Sequence, residues 1–140
     1  MRAGLCRWLV MQRRFENGKQ AIERWNQVFD AISAESRRQL VVSLLDHPPE
    51  ASVPLPESAI NPNFLPDPEK FRRELLHHHL PKLADMEFVE WDTDPFVASR
   101  GPRFDEVAVV FGALHSFATD IPDPLVVGCQ RLEEERRTNY

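Results

Sequence analysis

Glycine, cysteine and lysine are all scarce in this chain of 140 residues, and each scarcity removes a class of protein. None of the five glycines stands in a phosphate-cradling G-x-x-x-x-G-K or G-x-G-x-x-G setting. Two cysteines, Cys6 and Cys129, lie in the terminal segments and form neither a disulfide framework nor a four-ligand zinc site, so a reducing, cytoplasmic setting is expected. Long apolar runs are missing too. Segments such as Val107 to Phe111 fall far short of the roughly 20 residues needed to span a bilayer, and no membrane partner is expected. Neither G-x-S-x-G nor H-E-x-x-H occurs, so we assign no catalytic residue, no metal site, no cofactor and no enzymatic activity. Lysine is limited to Lys19, Lys70 and Lys82, and 22 acidic residues outweigh 17 basic ones to give a net charge of -5. A non-specific phosphate binder normally carries net positive charge, so any nucleic-acid surface here must gather its cations on one face.

What is present suits one small domain, since 42% hydrophobic residues can fill a core at this length. Residues 1–20 read as an N-terminal extension, 21–120 as the folded domain and 121–140 as a C-terminal tail. Arg2 to Val10 is basic and then apolar, but Cys6 and Arg7 interrupt it and no small-residue cleavage site follows. A first helix is predicted from about Gln20 to Ile32, where Ile22, Trp25, Phe29 and Ile32 form one stripe. Ser33 is placed as N-cap of a second helix, with Leu40, Val41, Leu44 and Leu45 on its buried side. Seven of the twelve prolines crowd into residues 48–68, limiting helix there to a short turn near Glu57 to Ile60. Gly101-Pro102 is expected to open a last helix with proline at its first position, acidic Asp105 and Glu106 in its first turn and an apolar face beginning at Phe104.

Between the connector and that last helix the periodicity changes. Phe71, Leu75, Leu76, Leu80, Leu83 and Met86 keep helical spacing, with Pro81 as a kink. Phe88 to Trp91 then reads as a strand, and Asp92-Thr93-Asp94-Pro95 turns into a second strand from Phe96. The order helix, helix, short helix, long helix, hairpin, helix is mainly α with a small β-hairpin, the order of a winged helix-turn-helix domain whose long helix, here around Glu69 to Met86, can enter the DNA major groove.

The string Leu76-His77-His78-His79-Leu80-Pro81-Lys82-Leu83-Ala84-Asp85, followed by Phe88-Val89-Glu90-Trp91-Asp92, resembles the H-x-H-L-P-K-L-x-x-x-G-[VF]-V-E-[YW]-D pattern of small winged-helix proteins from halophilic archaea, themselves distantly similar to arsenical-resistance-type repressors. Ile32 to Arg38 likewise resembles their L-S-N-x-R-R-R entry to the second helix, and Arg100-Gly101-Pro102-Arg103-Phe104 the segment after the wing. Glu87 stands where the pattern has glycine. The resemblance implies a transcriptional regulator, and the acidic, lysine-poor composition fits a salt-rich cytoplasm.

On a helical wheel, Lys70, Arg73 and His77 share the outward face, with Arg72 nearer the apolar side. Arg73 is the best reader of guanine because its planar fork can bond two acceptors, while Lys70 and His77 suit phosphates. Arg37 and Arg38 at the start of the second helix, and Arg100 and Arg103 after the hairpin, are candidate backbone contacts. Consecutive histidines point about 100° apart and cannot chelate one ion, so packing or capping is the expected role of His77 to His79. Phe104, Val107, Phe111, Leu114 and Phe117 form a stripe wide enough for a homodimer interface. The expected partners are therefore double-stranded DNA and a second copy of the chain. The alternative is a winged-helix protein–protein interaction module that does not bind DNA.

Overall fold

In a computed structural model the backbone is described for residues 2–138 and side chains for residues 9–138. The side chains of Cys6 and Trp8 lie outside the described residues. Helix α1 (Arg2–Ala31) runs without a break through residue 20, and α2 (Glu35–Leu45) follows after a tight turn. Strand β1 (Ser52–Pro54) and a 3-10 turn (Glu57–Ala59) occupy the proline-rich connector. Then come α3 (Pro68–Glu74), a π segment (Leu75–His79) and α4 (Leu80–Asp85), which together form one long helix. The hairpin is β2 (Val89–Thr93) and β3 (Phe96–Arg100), followed by α5 (Phe104–Ser116), a 3-10 turn (Ala118–Asp120), α6 (Asp123–Val126) and α7 (Gln130–Thr138). The protein is mainly helical with one small antiparallel sheet of order β1-β3-β2.

The core lies where α2, the long helix, the sheet and α5 meet. Leu40, Val41 and Leu44 from α2, Leu75, Leu80 and Leu83 from the long helix, Val53, Phe88, Val89 and Ala98 from the sheet region, and Phe104 and Val107 from α5 are all buried. The helical and strand periodicities of the sequence thus face one another as expected. β1 has no counterpart in the sequence reading. Its register on β3 pairs Val53 with Ala98, and alternation buries Val53 and Leu55 while Ser52 and Pro54 face out. Pro54 is tolerated because β1 is an edge strand.

Proline at position 81 cannot donate to the carbonyl four residues back, and its ring crowds that carbonyl. The helix widens by one residue there, so that Leu80 N–H bonds the Leu75 carbonyl. The expected kink is realised as a π-bulge. The helix ends on a Schellman motif: Glu87 N–H reaches Ala84 O, Phe88 N–H reaches Leu83 O, and Glu87 sits in the left-handed region at φ 63°.

Four local features differ from or add to what the sequence indicates. The stripe Ile22, Trp25, Phe29 is exposed, because α1 turns Val28 and Ala31 inward instead. Ser33 is not the N-cap of α2; Ala34 holds that position, and the Ser33 hydroxyl donates to Asp30 O at 2.7 Å. Pro102 precedes the N-cap Arg103 of α5 rather than opening the helix. Residues 121–138 fold back on the body through His115–Glu135 and Arg131–Asp46 pairs, with Arg136–Asp123 closing the segment on itself. Among the described residues no helix is long and apolar enough to cross a membrane.

Candidate nucleic-acid interface

The first half of the long helix stands clear of the core on one side. Pro68 starts α3 at a position where the missing N–H costs nothing, and Leu75, Leu80 and Leu83 pin the opposite face. This leaves Lys70, Arg73 and His77 exposed on adjacent turns, as the wheel predicts. Among the described residues neither Lys70 nor Arg73 forms an ion pair, although Glu69 and Glu74 flank them on the same helix. Arg72 is exposed too, with its guanidinium 4.4 Å over the Phe96 ring, which anchors the helix to the hairpin. The hairpin tip carries Asp92 and Asp94, exposed and repulsive to phosphate.

The other four predicted arginines are occupied elsewhere. Arg37 is buried: Nε donates to Ala31 O at 2.9 Å, Nη2 to Asp30 O at 3.0 Å and to Ser33 Oγ at 2.8 Å, and Nη1 to His79 Nδ1 at 2.8 Å. Arg38 donates to Ile32 O and pairs with Glu35. Arg100 donates to Leu44 O and His47 O and stacks over Phe104. Arg103 pairs with Glu106 at 2.9 Å, bonds Gln27 and covers the Phe88 ring. Arg37 and Arg100 thus neutralise the C-terminal carbonyls of α1 and α2, neither of which has a basic residue in its own last turn. The missing last-turn cations were a signal in the sequence that arginines from elsewhere would be recruited.

His79 accepts the Arg37 bond because burial and the neighbouring guanidinium push its imidazole down to about 4, keeping it neutral with the remaining proton on Nε2. His77 and His78 are exposed. Lys82 reaches Asp30 Oδ2 at 2.7 Å, joining α4 to the end of α1. Every residue of the His79-Leu80-Pro81-Lys82-Leu83 string therefore has a structural job. Two residues bond the α1–α2 turn, two leucines fill the core, and the proline sets the bulge. Among the described residues no group of three His, Cys, Asp or Glu side chains could hold a metal ion.

The expected dimer stripe divides. Phe104, Val107 and Phe111 belong to the chain's own core and are unavailable to a second copy, whereas Leu114 and Phe117 are exposed. Comparison with family models, curated proteins and solved structures finds no match, so no relative assigns a role to any of these residues.

Proposed function

We propose that this chain is a winged helix-turn-helix regulator that places the N-terminal half of its long helix, from Glu69 to His77, in the DNA major groove. The observation that carries this reading is the ridge of Lys70, Arg73 and His77, solvent-facing and without ion pairs among the described residues, on a helix whose other face is locked into the core. Support comes from the order α2, β1, short turn, long helix, β2, β3, with β3 central in the sheet, which fits a helix-turn-helix followed by a wing. Arg73 reads bases and Lys70 and His77 hold phosphates. A homodimer reading two half-sites would supply the affinity that Lys70, Arg73 and His77 of one protomer cannot.

A second reading, an interaction module of the same fold that does not bind DNA, is favoured by the diversion of Arg37, Arg38, Arg100 and Arg103 into intramolecular bonds in an acidic chain. Fluorescence anisotropy with mixed genomic fragments across a salt series separates the two. Binding that weakens with salt and disappears in the folded Lys70→Ala/Arg73→Ala variant supports the regulator; no binding at low salt sinks it.

A further inference from the structure

Helix α1 is 30 residues long, about 45 Å, yet among its described side chains only those of the last two turns bond or bury themselves against the body, through Arg24, Gln27, Val28, Asp30 and Ala31. Along the rest, Met11, Phe15, Gly18, Ile22, Trp25 and Phe29 alternate at spacings of four and three, a seven-residue repeat sustained over nearly three heptads. Apart from the glycine, every one of these side chains is between 53% and 74% exposed. An ordinary surface helix shows its polar face to water; this one shows the apolar stripe.

We infer that α1 is a dimerisation helix, pairing with α1 of a second copy of this chain in antiparallel orientation. Three observations fix the occupant. The first is the repeat itself, since a seam of period 3.5 buries itself against another helix of the same period. The second is charge. Residues 9–20 carry Arg13, Arg14 and Lys19 against Glu16 alone, whereas residues 21–31 carry Glu23 and Asp30 against Arg24, with Asp30 paired to Lys82, so the basic charge of the helix is concentrated in its first half. A parallel pair would set the basic halves side by side, while an antiparallel pair holds them at opposite ends of the seam.

The third observation is shape and area. In the antiparallel register centred on residue 20, Phe15 faces Trp25, Met11 faces Phe29, and Ile22 enters the space left by the missing Cβ of Gly18, around which nothing lies within 4 Å. Phe15 of the second copy then also reaches a groove of about 320 Å³ between α1 and α5, lined by Ala21, Trp25, Val28, Val109 and Val110. Three aromatics of roughly 200 Å² each, half to three-quarters exposed, present roughly 350 Å² per copy. Doubled across a two-fold axis and joined by Met11, Ile22 and Val109, they approach the roughly 1,000 Å² of a specific interface. The two long helices that the DNA reading needs would then be carried by one α1 pair, but the pairing itself does not depend on that reading.

The test uses the full chain without DNA, so that its failure is separate from failure of DNA binding. Sedimentation equilibrium should give twice the chain mass, and Ile22→Asp should raise the dimer dissociation constant by roughly a hundredfold or more, because two carboxylates would be buried in the seam. Circular dichroism checks that the body stays folded, and Phe15→Ser is a second variant remote from it. Orientation is read in a Cys6→Ser/Cys129→Ser background with a short bis-maleimide. Ala21→Cys, beside the two-fold axis, should crosslink, whereas Met11→Cys, roughly 27 Å along the axis from its copy, should not. A monomeric wild type, a dimer indifferent to both Ile22→Asp and Phe15→Ser, or equal crosslinking through Met11→Cys overturns the proposal. A monomer that instead sediments with phosphatidylglycerol vesicles overturns it in favour of a lipid surface.

Discussion

Arg37 donates from Nη1 to Nδ1 of His79 at 2.8 Å, joining the start of α2 to the π segment of the long helix across 42 residues of sequence. The pair is asymmetric. The guanidinium can only donate, so the imidazole must stay neutral to accept, and protonating His79 would set two cations against each other.

This makes stability dependent on pH in a stated direction. The His79 imidazole falls from 6.5 in the unfolded chain to about 4 in the fold, first through burial and then through Arg37. Between those values the unfolded chain holds a proton that the native chain does not, so stability is fully present above about pH 6.5 and is lost as pH falls toward 4. Allowing for solvent around a half-buried ring, the loss is on the order of 1–2 kcal/mol. His115, also lowered first by burial and less open to solvent, acts in the same sense. Urea denaturation at pH 7.0 and 4.5 should show the drop, and His79→Gln, whose amide oxygen can still accept from Arg37, should flatten part of it.

Glu87 occupies the left-handed C′ position of the Schellman motif after α4, at φ 63°. A side chain there costs about 1–2 kcal/mol relative to glycine, and Glu87 takes part in none of the ion pairs among the described residues. Glu87→Gly should therefore raise the unfolding free energy by about 1 kcal/mol. Glu87→Ala keeps the Cβ and should gain nothing. An equal gain from both would show that the backbone angle is not the cause.

Gly101 follows β3 with its Cα pressed against the chain that enters β2. An added Cβ would lie 2.5 Å from Glu87 O and 2.9 Å from Val89 N, both backbone atoms that no rotamer change can move. Gly101→Ala should cost about 2 kcal/mol or more by parting the Gly101 N–H to Phe88 O bond. A thermal melt within a degree or two of wild type would contradict this.

Much of the fold was legible because periodicity reports which face is apolar. The long helix, the hairpin and the buried sides of α2 and α5 all carry clean patterns, and their buried residues are those the spacing indicates. β1 was not, since three residues beside two prolines make no pattern and take their shape from β3. The stripe of α1 was legible as a stripe and its exposure was not, because spacing shows that a face is apolar and says nothing about what covers it. The candidate site was legible by half. Lys70, Arg73 and His77 point outward as helical geometry requires, whereas Arg37, Arg38 and Arg100 are drawn to carbonyls at the ends of α1 and α2 and Arg103 to Gln27 and Glu106, partners that a helical wheel does not show. The most specific part of the resemblance to a regulator pattern, His79 to Leu83, here bonds Arg37 of α2 and Asp30 of α1 and fills the core.

The division between exposed and occupied arginines yields a prediction on salt dependence. Each phosphate contact by a cation adds about 0.9 to the slope of log K against log salt, so removing a side chain that touches phosphate lowers the slope by about one. Lys70→Ala should therefore flatten the slope by about one while weakening binding uniformly across sequences. Arg73→Ala, if it reads guanine, should cost about 1–3 kcal/mol on a preferred site and much less on random DNA. Arg38→Ala should leave slope and affinity unchanged, because that guanidinium is bonded to Ile32 O and Glu35. Anisotropy titrations of the three variants at four salt concentrations, each checked for an unchanged thermal melt, separate these outcomes. A slope that falls with Arg38→Ala and not with Lys70→Ala would move the proposed DNA surface from the long helix to the start of α2.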